Sequence, residues 1–209
     1  PKREAALVAA TERSLKAKAA EQTVSPANAK SIAVLPFLDM SRAKDQEYFS
    51  DGLAETTLDM LSRVPDLKVI SRTSSFAFKG KAMDVREIGS KLGVAHILEG
   101  SVQQSGDTLR ITAQLIRTSD GAHLWSKQYD RKMADIFKIQ DEVATEVVNA
   151  IQGVLPAADQ QRMLGQNTGN VEAYQEYLKG IALLPGRKVA DMRKALAHFE
   201  RAIEIDPGY

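Results

Sequence analysis

Residues 95–131 hold three consecutive β-type runs separated by two tight turns, and no other stretch of the 209-residue chain limits the fold as much. In the middle run Leu109, Ile111, Ala113 and Leu115 alternate with Arg110, Thr112 and Gln114. Successive side chains of a strand point to opposite faces, so this pattern predicts a strand with one buried and one wet face. Residues 95–104 precede it across Ser105-Gly106-Asp107, and residues 123–131 follow it across Ser119-Asp120-Gly121. Strands joined by turns this short pair antiparallel, which predicts a meander. Trp125 and Tyr129 share one face of its third strand.

The chain before the meander has a different rhythm. Residues 31–37 (SIAVLPF) are a short apolar run of the kind a buried strand requires. Phe49, Leu53, Thr57, Met60, Leu61 and Val64 then recur at helical spacing until Pro65-Asp66 stops them. Residues 67–71 form a second strand-type run. Asp84-x-x-Glu87 has the spacing of a capping box ahead of a short helix through Val85, Ile88 and Leu92, ended near Gly93. After the meander, Ile136, Ile139, Val143, Val147, Ile151 and Leu155 mark a helix closed by Pro156. The expected fold class is therefore α/β: a mixed sheet built as β-α-β-α, an antiparallel three-strand meander and a helix.

Three further segments surround that unit of residues 31–156. Residues 1–30 are expected to be an Ala/Lys/Glu-rich helix and a tail broken at Ser25-Pro26. Residues 157–170 are polar and are expected to be a linker. Residues 171–209 show helical periodicity in two parts, 171–184 and 189–205, split by Pro185-Gly186-Arg187. They predict an all-α helical hairpin. Such a hairpin cannot bury its apolar face alone and stacks on a neighbour.

Composition excludes several classes of function. Hydrophobic residues are 44% and charged residues 26%, as in an ordinary globular domain. The formal net charge is +1, which gives no electrostatic basis for binding nucleic acid. There is no Cys, which removes disulfides, thiolate nucleophiles and thiolate metal ligands. No apolar run approaches the ~20 residues that span a bilayer. Membrane contact is thus expected only through a segment upstream of Pro1. The compartment, cytoplasmic or periplasmic, is left open.

Groups that might carry chemistry each have a plainer explanation. Asp39, Asp45, Glu47 and Asp51 follow the first strand, where carboxylates hold a divalent cation or favour a helix start. His96, His123 and His198 lack the spacing of a zinc site. Ser50 is outside any G-x-S-x-G elbow. Thr73-Ser74-Ser75, near Arg72 and Lys79, is either a phosphate cradle or a polar crossover loop. No catalytic residue, cofactor or metal is expected, and the chain is read as a non-enzyme. Phe76, Phe78, Tyr174 and Tyr177 are the candidate partner-binding residues. Tyr174, Tyr177, Leu178, Ala195, Phe199 and Ala202 also have the spacing of packing inside the hairpin.

Several of these stretches resemble the TolB amino-terminal-like (FlgO-like) domain, namely SIAVLPF at 31–37, EYFSDGL at 47–53, VISR at 69–72, LEGSV at 98–102 and LWSKQYD at 124–130. The resemblance implies a mixed α/β sheet without a recognised catalytic site. The terminal pattern Ala195-x3-Phe199-x2-Ala202-x4-Pro207 resembles the second helix of a tetratricopeptide (TPR) repeat. The first helix departs from the repeat, because Gly180 lies 15 residues before Ala195. Together the resemblances imply a non-catalytic interaction module of a larger bacterial regulator, such as the C-terminal part of a class III adenylate or guanylate cyclase or of a winged-helix protein. A protein partner or self-association through the TPR-like helices, including a homodimer, is expected. A small-ligand sensor controlling an upstream domain is the alternative.

Overall fold

The computed structural model describes residues 29–165, 168–186 and 188–209. The helix expected at the start of the chain lies outside the described residues. Six strands form one mixed sheet: β1 (Ser31–Val34), β2 (Leu38–Asp39), β3 (Lys68–Val69), β4 (His96–Ser105), β5 (Thr108–Arg117) and β6 (His123–Lys132). The order is β3-β1-β4-β5-β6, with β2 also paired to β4. β1 runs parallel to β3 and β4, and the β4-β5-β6 meander is antiparallel.

The expected first strand divides in two. Pro36 has no N–H to give to a ladder, and the chain leaves β4 after Val34 and rejoins it at Leu38, opposite Ser101. The second strand shortens to the two residues of β3. The hydroxyl run after it forms a five-residue helix, α2 (Arg72–Phe76), where a loop was expected.

The longer helices lie where periodicity predicts them. They are α1 (Glu47–Ser62), α3 (Val85–Leu92) and α4 (Ile136–Gln152). Asp84 caps α3 by accepting from the Arg86 N–H at 2.8 Å, and Gly93 ends it with φ +63°, a conformation that glycine adopts without strain. α1 and α4 cover one face of the sheet. Their inward side chains (Phe49, Leu53, Met60, Ile136, Ile139, Val143, Val147) meet Leu98, Val102, Leu109, Ile111 and Leu115 in the main core. A smaller cluster of Ala33, Ile88, Val94 and Ile97 seals α3 against the other face.

The stretch expected as a linker contains a helix, α5 (Ala157–Leu164), and its Met163 is wholly buried in the main core. Only Met163 and its neighbour Leu164 pack on the core, and two adjacent residues make no apolar stripe, so the sequence hides the helix. The expected hairpin follows as α6 (Val171–Leu183) and α7 (Val189–Ile205). Asn170 caps α6, accepting from the Glu172 and Ala173 N–H groups. No helix among the described residues is long and apolar enough to cross a membrane.

Candidate interaction surface

α6 packs along α1 and reaches α4 through Tyr174, and the sequence prepares both contacts. On α1, Gly52 is buried; a Cβ there would sit only 2.5 Å from the Leu178 side chain of α6. The missing side chain is what lets the two helices approach. On α4, the inward stripe is interrupted by a polar residue, Gln140, which is 1% exposed. Its Nε2 donates to the Tyr174 hydroxyl at 2.6 Å, and Thr56 of α1 lies 3.0 Å from the same oxygen. Phe137 of α4 meets the Tyr174 ring edge-on at 5.3 Å. Burial pushes the Tyr174 phenol up to about 12, so it stays neutral and hydrogen-bonded at physiological pH. One side chain thus joins three helices. Gln140 and Gly52 were not singled out from sequence, although a glutamine on an apolar helical stripe and a glycine inside a helix are the signals that mark them.

The hairpin closes by the same device. A Cβ on Gly180 of α6 would overlap the Phe199 ring of α7, so only glycine admits that ring. Ala195 and Ala202 of α7 are buried against α6. Tyr177 lies 6.0 Å from Phe199 and 5.4 Å from Tyr209 between ring centroids. Glu176 binds Lys179 and His198, both at 2.7 Å. On its outward side α7 leaves Val189, Met192, Leu196 and Ile203 in solvent; Leu196 is 57% exposed. These positions recur at spacings of three, four and seven and form one stripe along the helix.

The structure separates the four residues proposed to bind a partner. Tyr174 is an interior residue, 3% exposed, so its ring serves the domain–hairpin contact and not an outer surface. Tyr177 is half-buried beneath Tyr209. Phe76 and Phe78 are both half-buried and go to different clusters, Phe76 to the main core and Phe78 to the smaller one. The Arg72 guanidinium lies 4.4 Å above the Phe76 ring, and Lys81 lies 5.5 Å from the ring of Phe78.

The candidate chemical groups are drawn into structural contacts. Asp39 accepts from the Ser41 and Gln46 N–H groups and stabilises its own loop. Burial alone would raise its carboxyl, but these bonds hold it below the usual range. Glu47 and Asp51 both bind Lys79 at 2.5 Å. Arg72 binds Glu55 at 2.7 Å. The two cations of the supposed phosphate cradle are therefore already faced by carboxylates. Burial raises the Asp51 carboxyl more than Lys79 lowers it. His96 is buried beside the Ser31 carbonyl, 3.1 Å from its Nδ1, and burial lowers its pKa. Trp125 donates to Glu146 at 2.6 Å and Lys127 binds the same carboxylate, which fastens edge strand β6 to α4. Among the described residues no three acidic or histidine side chains converge as a metal cluster would.

A family profile described as the second domain of HilA/YgeH-like transcriptional regulators matches residues 28–146. Over 178 residues the chain is 42% identical to a protein of Rhizobium meliloti (strain 1021) named "Putative adenylate cyclase 3"; the match covers 85% of this chain and 30% of that protein. The chain thus spans less than a third of the length of this curated relative. Similar solved folds include lipoprotein GNA1162 from Neisseria meningitidis, at 23% identity over 49% of this chain and 80% of that one, with a TM-score of 0.42. TolB from Acinetobacter baumannii is another, at 15% identity over 60% and 29% of the two chains, with a TM-score of 0.45. The family match ends before the close of α4 and leaves the helical hairpin outside it.

Proposed function

The chain belongs to the HilA/YgeH-like transcriptional regulator family, as its second domain, and from that premise we propose that it is a non-catalytic, protein-binding control module of a longer bacterial signalling protein. The carrying observation is the seating of the hairpin. Tyr174, Leu178 and Gly52 tie α6 to the α/β domain, while α7, packed on α6, turns an apolar stripe outward. A pair of helices arranged this way presents a surface whose position is fixed by the sheet beneath it. The α6–α7 pair is a TPR-type hairpin, a reading supported by Gly180, Ala195, Phe199 and Ala202 at its internal contacts. A hairpin of this type cannot bury its outer apolar face alone and offers it to another protein surface.

The parent activity under control is nucleotide cyclisation, a reading favoured by the 42% identity to the Rhizobium meliloti protein. The polar groups of this chain support a non-catalytic role because they are committed to each other: Lys79 to Glu47 and Asp51, Arg72 to Glu55, Lys127 to Glu146. The test uses the isolated chain and the longer relative together. The isolated chain should form no cyclic nucleotide from ATP or GTP. Deleting the matching segment from the relative should leave its chemistry intact but change its rate or its response several-fold. Saturable turnover by the isolated chain would overturn the reading, as would a deletion that leaves rate and response unaltered.

A further inference from the structure

The outer stripe of α7 has a built-in asymmetry of charge that identifies what covers it. At ~100° per residue, Val189, Met192, Leu196 and Ile203 fall within a narrow arc, and the α6 contact through Ala195 and Ala202 lies to one side of it. The other flank carries Arg193 and Glu200. They are seven residues apart, two helical turns, and so stand in line on either side of the level of Leu196. Both are exposed, and among the described residues neither side chain has an ion pair or hydrogen bond. Arg201 and Glu204, further round the helix, bind each other at 3.1 Å, and Arg201 also lies 3.8 Å from Glu172.

We propose that this face of α7 pairs with the same face of a second copy of the chain, antiparallel, about a two-fold axis beside Leu196. That symmetry brings Leu196 against the partner's Leu196 and Val189 near the partner's Ile203. It also sets Arg193 level with the partner's Glu200, and Glu200 level with the partner's Arg193, on the same flank. An isologous contact makes each pair twice. A symmetric parallel pair would instead turn the Arg193/Glu200 flank of each helix toward the Ala195/Ala202 flank of the other, which α6 already occupies, and would leave both charges without a partner. The proposal rests on reading α7 as an interaction surface and commits that surface to self-association.

Sedimentation velocity of the intact chain over a concentration series tests it. The wild type should approach twice the monomer mass. Leu196→Glu should remain a folded monomer, because the residue is already exposed in the single chain, and its melting temperature should lose only the concentration-dependent part that the dimer adds. Arg193→Glu and Glu200→Arg should each weaken the dimer at least tenfold, and the R193E/E200R double variant should recover to within about threefold of wild type. The charge exchange decides the matter even if Leu196→Glu perturbs folding. A wild-type chain that is monomeric at every concentration would assign the stripe to a different protein and overturn the proposal. So would a dimer indifferent to Leu196→Glu, or a double variant as weak as its singles. Because these outcomes concern mass alone, they stand apart from the cyclic-nucleotide assay.

Discussion

Tyr174→Ala should lower the stability of the whole chain by about 4 kcal/mol, since truncating a large buried ring costs about 3–5 kcal/mol. The ring is 3% exposed and touches α4 through Phe137, while its hydroxyl engages Gln140 and Thr56. Removing it leaves the Gln140 amide buried without its acceptor, a loss of about 1–3 kcal/mol in its own right. Tyr174→Phe isolates that second part, because the ring and its packing stay. Tyr177→Ala should cost less, since Tyr177 is only half-buried. Urea midpoints of the three variants measure the differences. The order Tyr174→Ala, then Tyr174→Phe or Tyr177→Ala, is the expected ranking, and a Tyr174→Ala midpoint close to wild type would remove the basis for a fixed hairpin.

Gly100→Val should be the most damaging change in the sheet. Gly100 lies in the middle of β4, opposite Ala113 of β5. A Cβ there would overlap the Thr112 carbonyl oxygen and stand 3.1 Å from the Phe37 ring. A backbone oxygen has no rotamer to escape into, so the strand itself must move. Overpacking of this kind costs about 1–3 kcal/mol when side chains give way and more when they cannot, so a loss of at least about 3 kcal/mol is expected. Thermal unfolding checks this; at roughly 2–4 °C per kcal/mol for a chain of this size, the melting temperature should fall by about 6 °C or more. Phe37→Leu in the same background relieves only the ring and should rescue little. The glycine of the LEGSV stretch is thus explained by the close approach of a neighbouring strand, a common reason for glycine inside a sheet.

The parts of the fold that were legible in the sequence are those with a repeating period. Leu109, Ile111, Ala113 and Leu115 alternate over a full strand, and Ile136, Ile139, Val143 and Val147 mark one face of a long helix; both elements stand where the spacing puts them. Short elements carry no period. α2 has five residues, and three of them, Thr73, Ser74 and Ser75, are types common in turns. α5 is anchored by the adjacent Met163 and Leu164 at its end, which give no helical period, so its eight residues look like a polar connection. β2 has two residues, and its Leu38 is exposed, which separates it from the apolar run before Pro36. The interaction surface was legible as a hairpin but not as an orientation. A tyrosine suits an interior with a polar partner as well as a docking surface, and only the positions of Gln140 and Thr56 decide that Tyr174 points inward. An apolar face that the hairpin cannot bury was expected, but the residues that form it were not assigned, for a related reason. Apolar residues on both sides of a helix give no clue to which side meets α6 until Gly180 and Phe199 fix the contact.

α6 belongs to the α/β domain and is not a tethered appendage. Native-state hydrogen exchange of the α6 backbone amides tests it most directly, because local and global openings differ in free energy. If the Tyr174–Gln140–Thr56 contact holds as described, the interior amides of α6, around Leu178, exchange only with the same opening that exposes the centres of β4 and β5. If those α6 amides exchange at the rates of a fraying segment while β4 and β5 stay protected, the hairpin is not fastened to the sheet, and the domain cannot fix the position of the surface it carries.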